Sequence, residues 1–256
     1  DTKSFDSVLP SINKGTTTSD YSTTNIQVEN VDEADIVKTD GEYVYSISDD
    51  TVYITYAKNP TEMNIVAKIE EPLSNVYPED LILQNNKLII ISGNTINTVV
   101  KIYDLADIEN PDKIKEFELN KEYYTSRYIN GNLYVISSGN LRKEDDEIVV
   151  GYNEDNMEKE MSIDKIKYLK DVKTTKQTLI STVDLNNETA DIKLDSYLMN
   201  ISNAYVSENA IYLLNQKYNN DSKIPIKLLF GFKGVFGLED YYEMDSESGY
   251  YTEIYK

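Results

Sequence analysis

The sequence predicts an all-β fold, a β-propeller or part of one with about four four-stranded blades. Three observations carry that reading. A turn followed by a β-branched or aromatic run recurs four times, its first three occurrences are evenly spaced, and further strand-like runs follow each in the same order.

Residues 1–23, closing on GTTTSDYST, are rich in Ser and Thr without apolar periodicity, and read as an extended arm or linker. Blades are expected over 24–256, beginning with TNIQV, a short alternating segment. The four windows are DGEYVYSI from Asp40, NNKLIIIS from Asn85, NGNLYVIS from Asn130 and ENAIYLLN from Glu208. Each is a tight turn entering a buried strand. The first three start 45 residues apart, and the fourth falls 33 residues later than that register. A third strand follows as VYITYA, VVKIYDL, TLISTVDL or YYTEIYK, and polar turns such as KNPTE and ENPDK lead into fourth strands MNIVAKI and KIKEFEL.

The excess residues fall at about 138–177 and 216–249, both between the second and third strands of a blade. Those connections open on one face of a propeller, the face that bears ligands. The first loop is mixed in charge and carries a short predicted helix over Asn156 to Leu169. The second contains IPIKLLFGFKGVFGLEDYY, which either packs down on the blades or presents Phe232, Phe236, Tyr241 and Tyr242 to a partner. The blade register places Asp35, Asp80, Thr125 and Asn203 at matching positions around the mouth of the central channel.

Composition narrows the chemistry. With 25 basic against 45 acidic residues, a net charge of −20 argues against nucleic acid and anionic lipid. No His and no Cys are present, so no Ser-His-Asp or Cys-His nucleophile and no His- or Cys-ligated zinc can be built. No apolar run is long enough to span a membrane. Carboxylates, Lys, Tyr and hydroxyls are left. Asp32, Glu33, Asp35 and Asp80, with Asn203, offer oxygens for Ca²⁺, or else are solvated acids at strand ends. No catalytic residue is assigned. Paired carboxylates keep a carbohydrate-active hydrolase or lyase as the competing reading to a binding module for a protein or glycan.

The run TNIQVENVDEADIVKTDGEYVYSIS, with the later YINGNLYVISS, resembles the opening of a family of secreted bacterial and archaeal proteins, the β-propeller domain family, distantly related to WD40 repeats. VDEADIVKTDG is its most recognisable motif. The resemblance extends over Thr24 to Lys256 and implies export, with an extracellular or envelope location and a leader trimmed before Asp1. It brings no catalytic residues with it. In the family the chain continues beyond a segment like YYTEIYK, so the expectation here is the N-terminal half of a larger propeller, open to self-association; the alternative is a four-bladed ring closed by TNIQV.

Overall fold

The computed structural model describes residues 31–70, 75–144, 147–168, 174–187, 189–207, 209–219, 228–229 and 249–255. A short strand β1 (Val31–Glu33) precedes the first blade, whose strands are β2 (Val37–Thr39), β3 (Tyr43–Ser48), β4 (Thr51–Tyr56) and β5 (Asn64–Glu70). Blade two comprises β6 (Tyr77–Gln84), β7 (Lys87–Gly93), β8 (Thr98–Asp104) and β9 (Asp112–Leu119). Blade three opens with β10 (Glu122–Ile129) and β11 (Asn132–Asn140). Its insertion follows, as β12 (Arg142–Glu144), β13 (Glu147–Val149), β14 (Gly151–Glu154), β15 (Met157–Glu160) and β16 (Ile166–Tyr168). The blade is completed by β17 (Lys176–Asp184) and β18 (Lys193–Leu198). Blade four holds β19 (Asn203–Ser207), β20 (Ala210–Asn219), β21 (Leu228–Leu229) and β22 (Gly249–Tyr255). The expected four-stranded repeat is therefore the observed one, in four antiparallel meanders, except that β21 runs parallel to β22.

Local chemistry sets the hairpins. Asn85 and Asn86 (φ 51° and 60°) and Asn130 and Gly131 (φ 48° and 86°) are consecutive left-handed residues, the backbone of a two-residue turn whose twist matches the strands it joins. In blade one Gly41 takes the positive φ, while Asp40 accepts the N–H groups of Glu42 and Tyr43 at 2.9 and 2.7 Å.

Three apolar clusters fill the seams between consecutive blades. Tyr45, Val52 and Ile54 meet Leu88 and Ile90 between blades one and two. Ile89, Ile91 and Phe117 meet Leu133, Val135 and Leu179 between two and three. Ile136 and Ile180 meet Val206, Ile211 and Leu213 between three and four. Blade two is covered on both faces, which explains why β7 reads LIII rather than alternating. Blade one is covered on one, and β3 alternates: Tyr45 is buried, while Val44 and Ser46 face away. Among the described residues no cluster joins blade four to blade one, and the sheets do not close into a ring. TNIQV lies outside the described residues.

The blade-three insertion departs from expectation. In place of a helix over 156–169 there is the hairpin β14–β15, closed by Asp155 and Asn156 at φ 49° and 64°, then a single 3₁₀ turn and β16. Two adjacent left-handed residues end any helix and begin a hairpin. Nor is the segment a free loop. β14 pairs with β9, extending blade two to six strands, and β16 lies parallel against β18 at the outer edge of blade three. Glu154, 1% exposed, anchors it. Its carboxylate accepts Lys115 at 2.9 Å, Lys159 at 2.7 Å and the Ile192 N–H at 2.9 Å. Burial pushes this carboxyl up, but the bonds from Lys159, Lys115 and Ile192 outweigh it and hold the group below the usual glutamate range.

Two outcomes follow. Phe117→Ala, opening a void in the seam between blades two and three, is expected to cost about 3–5 kcal/mol in urea unfolding. Glu154→Ala strands Lys115 in the interior and is expected to cost about 3–5 kcal/mol, with faster tryptic cleavage between 157 and 168. Because the Glu154 pKa is depressed on folding, its contribution is present at neutral pH and is lost as pH falls through that depressed value. The difference between wild type and Glu154→Gln should therefore shrink in acid.

Candidate functional site

A polar assembly lies where the inner strands of blades one, two and three approach one another, and VDEADIVKT builds it. β1 takes the inner edge of β10, with Val31 opposite Ile129, Asp32 opposite Tyr128 and Glu33 opposite Arg127. Two residues on, Asp35 exchanges backbone hydrogen bonds with Leu81 of β6, its N–H donating at 3.1 Å and its carbonyl accepting at 2.8 Å. Val37–Thr39 then joins β3. A single short segment is thus hydrogen-bonded in turn to blades three, two and one.

The acids of the motif serve this path. Lys38, 5% exposed, turns back so that its ammonium donates to Asp32 Oδ1 at 2.9 Å and to the Glu33 carbonyl. The other Asp32 oxygen accepts Gln84 Nε2 at 3.0 Å. Glu33 pairs with Arg127 at 3.3 Å, and Arg127 also donates to Thr125 Oγ1 at 2.7 Å and to the Ser126 carbonyl at 2.6 Å. Asp35 accepts the Ile36 N–H at 2.7 Å. Carboxylates stand at the entrance to the core because a buried lysine and an arginine need them there.

Nearby, a bulge between Pro78 and Asp80 redirects β6. Asp80 accepts the Tyr123 hydroxyl at 2.7 Å, and Ser126 Oγ lies 2.9 Å from that same hydroxyl. Burial raises the Asp80 pKa; the Tyr123 bond opposes this and the nearby Asp35 charge adds to it. Burial and the Asp80 charge lift Tyr123 well above its ordinary value.

Asp32, Glu33, Asp35 and Asp80 share this region, but Asp35 sits at the seam with β6 rather than on an open rim. Asn203, exposed at the start of β19 in blade four, accepts its neighbour Ala204's N–H at 2.8 Å. Among the described residues no three metal-ligating side chains converge. Phe232, Phe236, Tyr241 and Tyr242 lie outside the described residues. Sequence reasoning missed Lys38, Gln84, Tyr123 and Arg127. Arg127 carried a signal, being one of only two arginines, the other being Arg142.

Lys38→Met removes the cation and leaves Asp32 with Gln84 alone, and is expected to destabilise by about 3–5 kcal/mol in urea unfolding. Asp80→Asn tests the raised carboxyl. A proton held more tightly in the folded state adds stability that is fully present below the unfolded aspartate pKa and lost as pH rises through the elevated one. The asparagine variant should match or exceed wild type in Tm at neutral pH and lose that advantage in acid.

With this geometry in hand, comparison with known proteins is direct. The chain is 37% identical over 116 residues, 45% of its length, to an uncharacterised protein of Methanocaldococcus jannaschii. It is 26% identical over 231 residues, 84% of its length, to one of Archaeoglobus fulgidus. The matches span 17% and 35% of those relatives' own lengths. No solved structure matches. The family model described as "Beta propeller domain" aligns with residues 21–256, which include the four described blades and VDEADIVKTDG, and the chain belongs to that family.

Proposed function

We propose that this chain is a non-catalytic binding or scaffold module, working outside the cell or at the envelope, that meets a protein or glycan through its loop-bearing end. One observation carries the reading: Tyr77, Ile96, Tyr124 and Tyr168 are all at least 36% exposed and belong to elements that open at that end. Aromatic rings held out on rigid strands supply contact area at small entropic cost. The insertion's docking on the outer strands of two blades makes the surface a firm one. The net charge of −20 favours neutral or basic partners over anionic ones. Location outside the cell rests on the family resemblance.

The test is a glycan microarray and in-cell photo-crosslinking from position 96, comparing wild type with Tyr77→Ser/Tyr124→Ser/Tyr168→Ser. Binding that the triple variant loses while keeping its Tm supports the module; binding the variant keeps, or none in either assay, overturns it.

A carbohydrate-active hydrolase or lyase is favoured by one feature, the elevated Asp80 carboxyl near Asp35, which is able to hold a proton. Glycan turnover abolished by Asp80→Asn would establish it. The same two carboxylates are also where Ca²⁺ would relieve like-charge repulsion. A higher Tm with Ca²⁺ than with chelator, lost in Asp35→Ala/Asp80→Ala, would establish that cation.

A further inference from the structure

At the loop-bearing end of the seam between blades two and three, the apolar core gives way to buried polar side chains. Thr98 Oγ1, from blade two, donates to the Lys121 carbonyl at 2.8 Å and fixes that residue just before β10. The Lys121 stem lies over Gly139, where a Cβ would come within 3.0 Å of its Cδ. Gln177 stands directly across from Gly139, and Ser137 lies two residues back along β11, so all of these share one face of the sheet.

Two polar atoms of this patch are unmet among the described residues. Ser137 Oγ and Gln177 Oε1 are fully buried and have no hydrogen-bond partner, although Gln177 Nε2 donates to Ser196 Oγ at 2.8 Å. Lys121, 4% exposed, donates to its neighbour's Asn120 carbonyl at 3.1 Å. The charged group that acts on it is another cation, Arg142, and burial followed by Arg142 brings its pKa down to about 8. Two of the other buried lysines, Lys38 and Lys115, each have a carboxylate at 2.9 Å. A water could bridge Ser137 and Gln177, but it would not balance the charge of Lys121.

We propose that this buried polar patch binds a small hydroxylated oxyanion. The anionic oxygen sits on Lys121 Nζ and accepts the Ser137 hydroxyl, and the ligand's own O–H donates to Gln177 Oε1. Dihydrogen phosphate and α-hydroxy carboxylates share this chemistry.

The experiment is thermal unfolding and calorimetric titration of the whole chain with inorganic phosphate, lactate or sulfate at equal ionic strength and mildly acidic pH. Phosphate or lactate should raise the Tm by several degrees, and sulfate, which has no proton to give, should bind roughly tenfold or more weakly. Lys121→Met keeps the stem on Gly139 and should abolish both shifts without lowering the ligand-free Tm, because an unpaired buried cation is gone. Gln177→Met should weaken binding while leaving the charge in place. Raising pH through about 8 should release the anion as Lys121 deprotonates. Over the same range the ligand-free chain should gain stability relative to Lys121→Met, since the unfolded lysine still holds its proton there. No shift with phosphate or lactate, an equal response to sulfate, or undiminished shifts in both variants would overturn the assignment.

Discussion

Blades of a propeller are separate sheets, so their seams rest on side-chain packing and not on shared backbone hydrogen bonds. Two segments depart from this here, the blade-three insertion through β14 on β9 and, at the inner strands, Val31–Thr39. The backbone of the second pairs with β10, bridges to Leu81 and continues into blade one, and Lys38 closes the path by returning to Asp32 and Glu33. Backbone pairing fixes relative position more tightly than packing does, because a slip of one residue would turn Val31 out of the seam with blade four and expose the Lys38 ammonium. The Asp80, Tyr123 and Ser126 contacts depend on that register, since they join β6 to β10 at the level where Asp35 crosses.

Strand edges are the second constraint. An outer blade strand leaves unpaired N–H and C=O groups that invite other chains. The insertion in blade three covers two of these edges, placing β14 on β9 and β16 on β18, and a charged hairpin strand, MEKE, becomes the new boundary of blade two. Glu154 holds the cover down by joining Lys115 of β9 to Lys159 of the hairpin and to the backbone that leads into β18. The same segment that shapes the loop-bearing end thereby also protects the sheets beneath it.

The buried lysines show how one residue type takes different parts in a very acidic chain. Lys38 and Lys115 have carboxylates within bonding distance and tie elements together. Lys121 lies over Gly139, on the sheet face that also carries the Ser137 hydroxyl and the Gln177 amide oxygen. A cation buried without an acid is unusual where acids are abundant, and its setting beside two unmet polar atoms distinguishes a place prepared for a ligand from one that merely holds the fold.

Strand order and turn positions were legible in the sequence because they rest on local effects: Asn and Gly accept a left-handed backbone, and apolar spacing reports which strand faces are covered. YVYSIS and KLIIISG even distinguish a blade covered on one side from one covered on both. The acidic motif was legible as a cluster but not as a lattice. The partners of its carboxylates, Gln84 and Arg127, lie 52 and 94 residues away along the chain from Asp32 and Glu33, at a distance over which periodicity carries no information. The insertion's path was hidden for the same reason, since β14 chooses β9 through a buried ion cluster and not through any pattern within 138–177. Local sequence determined the strands and their turns. Only the tertiary structure decided which charges meet, because pairing across blades depends on the packing of whole sheets, which no short stretch of chain encodes alone.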